Sequence, residues 1–152
     1  MVTEAPDRKK MIDLLNEDLS REYQAIMAYV VYSQVLKGAQ YMTIAKELEK
    51  HASEELDHAI KLSNQIDYFG GMPTATAKSV KLTDDAVEML KADLENERVT
   101  IANYRTRVRQ ADAMGEFALS EILREILVQE QEHLIDLATA LGIDPPDPGE
   151  AR

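Results

Sequence analysis

Two short clusters in this chain carry residue types that bind divalent metal ions. Glu55-Leu56-Asp57-His58 and Glu130-Gln131-Glu132-His133 each set a glutamate and a histidine three residues apart. On a helix that spacing puts both side chains on one face. A single glutamate stands 33 residues ahead of each pair, Glu22 before Glu55 and Glu97 before Glu130. The triplets are copies of one pattern, because Glu97, Glu130 and His133 lie 75 residues after Glu22, Glu55 and His58. Carboxylates and neutral imidazoles suit Fe2+ and Mn2+ alike. Cysteine is absent from the sequence, which excludes thiolate sites, iron–sulfur clusters, disulfides and a cysteine nucleophile.

All six residues interrupt apolar stripes with helical spacing. The stripes are Leu15, Leu19, Glu22, Ile26, Tyr29; then Ile44, Leu48, His51, Glu55, His58, Leu62; then Leu90, Leu94, Glu97, Ile101, Tyr104, Val108; and finally Leu119, Leu123, Ile126, Glu130, His133, Leu137. A lone Glu-x-x-His is common on solvated helices. Six positions that share one interval and lie on core stripes are not. Even one unpaired buried charge costs several kcal/mol, and no lysine or arginine stands on the stripes beside the glutamates. Two divalent cations would balance four carboxylates, with both histidines neutral. His51, one turn before Glu55, reads as a hydrogen-bonded core histidine, with a transit metal position as its other use. Glu54, Asp57, Glu125 and Glu132 fall off the stripes and read as solvated.

Four long helices must carry these residues. The first runs from Arg8 to Leu36 and stops at Lys37-Gly38; the second runs from Gln40 to Phe69 and stops at Gly70-Gly71. Gly at a helix end is a stop signal. Thr83-Asp84-Asp85 predicts an N-cap for a third helix reaching Ala111, and a fourth runs from Gly115 to Gly142. The 13-residue connection 70–82 spans up to ~45 Å when extended, about the length of a 30-residue helix. The expected fold is all-α, a four-helix up-down bundle with one long crossover over 8–142. An N-terminal tail (1–7) and a C-terminal proline-rich tail (143–152) flank it, and the latter is expected to be loose.

Length and charge narrow the function. The chain has 152 residues, a one-domain length, and a formal net charge of -11. That charge argues against nucleic acid and membrane surfaces as partners, which attract basic proteins. With no signal-like start and no apolar span, the expected location is cytoplasmic.

At these residues the chain resembles the ferritin-like superfamily, and within it the bacterioferritins, over about residues 8–142. The resemblance rests on Arg21-Glu22-Tyr23-Gln24-Ala25-Ile26-Met27-Ala28-Tyr29, Glu54-Glu55-Leu56-Asp57-His58-Ala59, the segment Val87–Glu97, and Glu121–His133. One Glu from each of two helices plus Glu-x-x-His from each of the other two is the ligand pattern of di-iron carboxylate bundles. The resemblance implies two iron ions per subunit. Glu22 and His58 would bind one, Glu97 and His133 the other, and Glu55 and Glu130 would bridge them. Tyr29 resembles the tyrosine that the family keeps beside the centre; its repeat mate Tyr104 reads as core, with a hydrogen-bond donor to the centre as its other use. The implied activity is a ferroxidase and iron-storage protein oxidising Fe2+ with O2 or H2O2 in a homo-oligomer. Leu56 replaces the methionine that ligates haem in bacterioferritins, which speaks against haem. The proline-rich end replaces their fifth helix, so a dodecamer or dimer stands beside the 24-mer. The alternative is a non-storage di-iron or di-manganese oxidase or peroxidase of the rubrerythrin or catalase type.

Overall fold

The computed structural model describes residues 4–151. Helix α1 spans Arg8–Val35, α2 Met42–Tyr68, α3 Ala86–Ala113 and α4 Phe117–Leu141, and no strand occurs among the described residues. The result is the expected all-α four-helix bundle. The N-termini of α1 and α3 are set by side-chain caps: Lys10 N donates to Asp7 Oδ1 at 2.7 Å, and Glu88 N donates to Asp85 Oδ1 at 2.8 Å. Helix α4 ends at Gly142, whose φ of 71° is left-handed. Between α1 and α2 a short 3-10 turn, Ala39–Tyr41, follows Gly38 at φ 119°. It delays α2 to Met42, two residues past the expected start.

The crossover after α2 lies along α1. Asn16 Nδ2 donates to Met72 O, Tyr23 OH to Thr74 O, Lys78 N to Ser20 O, and Gln24 Nε2 to Ser79 O. Further on, Tyr32 OH reaches Lys81 O. Apart from the Tyr23–Thr74 bond, partner numbers rise together on both segments, so the strap runs parallel to α1 and delivers the chain to its C-terminal end. Helix α3 then starts there and runs antiparallel to α1. The helix directions are therefore up, down, down, up.

The buried core forms two apolar clusters at successive levels. One holds Met11, Leu15, Leu19, Leu62, Ile66, Leu119 and Leu123. The other holds Tyr32, Ile44, Leu48, Met89, Leu90 and Leu137. Two stripe positions differ from expectation: Ile26 and Leu94 are only partly buried, while the acidic residues Asp18 and Asp93 are buried beside the stripe.

The C-terminal segment is not loose. It turns back onto α3, where Arg105 Nη1 donates to Gly149 O at 3.0 Å and Arg109 forms a two-pronged pair with Glu150. At the other end, residues 4–7 have no regular structure; residues 1–3 of the expected N-terminal tail, and Arg152, lie outside the described residues.

Candidate metal centre

Each helix brings its predicted residues to one level between the two apolar clusters. Glu22 comes from α1, Glu55 and His58 from α2, Glu97 from α3, and Glu130 and His133 from α4. All six are buried, none more than 3% exposed. They form two overlapping groups, Glu22–Glu55–His58–Glu130 and Glu55–Glu97–Glu130–His133, with the candidate ligand atoms in each group within 4.8 Å of one another. Glu55 and Glu130 belong to both groups.

The histidines are oriented alike. His58 Nδ1 lies 2.9 Å from Glu130 Oε1 and 3.6 Å from Glu22 Oε2. His133 Nδ1 lies 2.8 Å from Glu55 Oε1 and 3.5 Å from Glu97 Oε1. Both Nδ1 atoms thus face the cluster, and both Nε2 atoms face outward. His58 Nε2 meets Gln129 Oε1 at 2.5 Å, and His133 Nε2 stands 3.5 Å from Glu54 Oε1. Gln129 Nε2 also donates to Glu54 Oε2 at 2.9 Å, tying the two outer partners together. Such outer contacts fix the ring orientation of metal-binding histidines. Glu54 is therefore part of the site's surroundings rather than the solvated residue expected from its place off the stripe. Asp57, Glu125 and Glu132 are exposed as expected.

Tyr29 OH donates to Glu97 Oε1 and Tyr104 OH to Glu22 Oε1, each at 2.5 Å. The expectation that Tyr104 is only core is thus corrected: the two tyrosines play the same part in the two halves. Burial first, and the neighbouring carboxylates second, push both phenols well above their usual range. Both remain neutral donors.

The metal-free cluster is electrostatically divided. Burial works to raise every carboxyl here. Around Glu97 it is outweighed by the nearby Glu130, His133 and Tyr29 side chains, which together hold it down at about 2. Glu22 is also lowered, through Glu55, His58 and Tyr104. Glu55 and Glu130 go the other way, driven well up by burial and then by the neighbouring glutamate charges. Burial opposes the charged form of His133, yet its contacts with Glu54 and Glu97 raise it to about 10. His58 is raised in the same way, by Glu130, Glu22 and Glu55. Protons thus gather where cations would otherwise balance the charge. A metal fit is also legible in the atoms without a well-aligned hydrogen bond: one oxygen each of Glu22 and Glu97, both oxygens of Glu55 and Glu130, both Nδ1 atoms and His133 Nε2. Buried polar groups normally find one.

Three buried charged residues escaped the stripe analysis. Asp18 and Arg107 form a two-pronged pair, Nε to Oδ2 at 2.7 Å and Nη2 to Oδ1 at 3.0 Å. Arg107 is a buried cation off the stripes, and its partner is Asp18 and not a site glutamate. Asp93, the repeat mate of Asp18, is buried with Oδ2 unpartnered, and burial and Glu97 raise its carboxyl. Both aspartates were findable, because each stands four residues before a site glutamate and they share the 75-residue interval. His51 is buried and its Nε2 lies 3.1 Å from Asp136 Oδ2, while its ring stacks on that of His133 at 3.9 Å between centroids. Leu56, at the position considered for haem, faces outward and is 52% exposed.

A four-helix bundle with this acidic and imidazole centre defines a class, and comparison with known proteins places the chain within it. The family model described as ferritin-like domain matches residues 12–144. The chain belongs to that family. It is 30% identical to a bacterioferritin of Brucella melitensis over 135 residues, covering 88% of this chain and 84% of the relative. A bacterioferritin of Desulfovibrio desulfuricans is 28% identical, covering 84% and 73%. Among solved structures, a ferritin-like, diiron-carboxylate protein from Bacillus anthracis superimposes with a TM-score of 0.85 at 32% identity, covering 91% of this chain and 99% of that one. A dodecameric thioferritin, the bacterioferritin-related protein of Bacteroides fragilis, gives 0.83 at 29% identity, covering 90% and 86%. No described helix is long and apolar enough to cross a membrane.

Proposed function

We propose that the chain is a ferroxidase that oxidises Fe2+ with O2 or H2O2 and stores or detoxifies the product. Glu22 and His58 hold one Fe2+, Glu97 and His133 the second, and Glu55 and Glu130 bridge the pair. The observation that carries this reading is the convergence of buried, unpartnered carboxylate oxygens and Nδ1 atoms on one point, with Glu55 and Glu130 common to both groups. Two ferrous ions supply one electron each; with two protons, peroxide becomes two waters, or O2 becomes peroxide.

The chain's own part is positional. Gln129 and Glu54 keep the two Nε2 atoms outward, so both Nδ1 lone pairs face the metals. Tyr29 and Tyr104 donate to Glu97 and Glu22, which steadies the two terminal carboxylates. Protons leave Glu55 and Glu130 as the cations enter. We read the protein as a cytoplasmic homo-oligomer; the dodecamer of the Bacteroides fragilis relative supports an assembly.

Replacing Glu130 with Ala is expected to abolish rapid Fe2+ oxidation, followed by stopped-flow absorbance, while the circular dichroism stays helical. Unchanged initial rates would refute the assigned role. Light scattering with anaerobic Fe2+ titration separates storage from the oxidase alternative. A large oligomer that takes up many irons per chain supports storage. A dimer that saturates at two overturns storage and leaves a di-metal oxidase.

A further inference from the structure

One cluster of metal-binding residues lies outside the four-helix centre. Glu47 and His51 of α2 and Asp136 of α4 bring one candidate ligand atom each to within 4.8 Å of one another. His51 is only 1% exposed, and its Nδ1 has no hydrogen-bond partner. The nitrogen turned to the cluster is Nε2, 3.1 Å from Asp136 Oδ2. The two carboxylates are half-buried and line a cavity of about 230 Å³ at the bundle surface, together with Gln40, Thr43 and Thr139. No lysine or arginine lines it, so its field favours a cation. Beneath it, His51 stacks on His133. The cluster therefore stands one imidazole away from the di-metal centre.

The internal repeat gives an independent argument. The six central residues keep the 75-residue interval, but these three break it together: the mates of Glu47, His51 and Asp136 are Ile122, Ile126 and Lys61. Ile126 belongs to the apolar core with Ile122 packed against it, and Lys61 pairs with Asp57. The opposite end of the bundle is thus closed by apolar packing where this end is acidic and open. Packing needs alone would not place three ligand types at one patch of one half.

We propose that Glu47, His51 and Asp136 form a third, single-cation site that takes a divalent metal from the cavity and loads the di-metal centre across the His51–His133 stack. Two carboxylates balance the ion's charge, and three ligands leave positions free for water, as a site of passage requires. The loading role rests on the proposed di-metal reading; the binding does not.

Co2+ titration under equilibrium dialysis, read by visible absorption, tests it in the full chain. Wild type is expected to bind three Co2+ per chain and Glu47→Gln/Asp136→Asn two; both replaced residues are half-buried, so the core is untouched. In the same variant, initial Fe2+ oxidation at limiting iron should fall at least about tenfold, with the total iron oxidised unchanged. Saturation of wild type at two Co2+, or equal binding by the variant, overturns the site. Loss of one Co2+ with an unchanged oxidation rate overturns the loading role. A Glu55→Ala/Glu130→Ala chain should keep one Co2+ and lose oxidation. If it oxidises iron normally while Glu47→Gln/Asp136→Asn still loses one ion, the di-metal reading fails and the third site stands.

Discussion

Two buried hydrogen bonds decide how the central carboxylates respond to substitution. Glu22 accepts from Tyr104, and Glu97 from Tyr29. Replacing Glu22 with Leu removes a buried charge but strands the Tyr104 hydroxyl, which costs about 1–3 kcal/mol. Glu22→Leu/Tyr104→Phe is therefore expected to melt above Glu22→Leu in the metal-free state, and calorimetry checks it. Equal melting temperatures would show that the hydroxyl finds another partner. The Asp18–Arg107 pair obeys a different rule. Both groups are buried, and breaking such a pair leaves an uncompensated charge. Arg107→Met should cost about 3–5 kcal/mol, while Asp18→Leu/Arg107→Met should recover most of that loss. Denaturant titration measures both. A single variant as stable as wild type would mean that water reaches Asp18.

Among the elements, the crossover does more than join two hairpins. Its backbone is held by Asn16, Ser20, Tyr23 and Gln24 along one face of α1. That fixes where α3 begins, and so the level at which Glu97 meets Glu22. The strap starts at Gly71, where a Cβ would stand 2.5 Å from Ile12 Cγ2. Gly71→Ala must therefore push the Ile12 side chain or the strap aside, and overpacking of this kind costs about 1–3 kcal/mol. Chemical denaturation should show that loss with Fe2+ binding retained, because the strain lies far from the metal level. A neutral effect would mean that the strap shifts freely.

Across the whole molecule, charge is unevenly distributed. The chain carries a net charge of -11, yet α3 presents Arg98, Arg105 and Arg109 toward the returning C-terminal segment. Glu150 lies in that segment, and its pair with Arg109 lowers its carboxyl from 4.5. A lowered acid contributes docking that is complete above its unfolded value and lost as pH falls through its folded one. Docking of residues 147–150 is thus expected to persist at neutral pH and to weaken in acid, as pH falls below the usual carboxylate range. Heteronuclear NOE values for those residues report it. Arg109→Ala should give the same loss at neutral pH. A segment equally ordered at pH 3 and pH 7 would contradict the ion pair's role.

The sequence by itself determined the four helices, their apolar faces and the six residues at the centre. Helical period and the 75-residue interval are local quantities, and burial of four carboxylates admits few explanations. Tertiary structure alone decided which groups serve those six. The use of Tyr104 as a donor, of Glu54 and Gln129 as outer partners and of Arg107 as the mate of Asp18 depends on side chains meeting across helices. So does the joining of Glu47, His51 and Asp136, whose spacing along the chain obeys no repeat. The return of the C-terminal segment onto α3 belongs to the same class. Periodicity reports which face of a helix is buried; which neighbour that face meets depends on helix direction and level, and these are set only when the bundle closes.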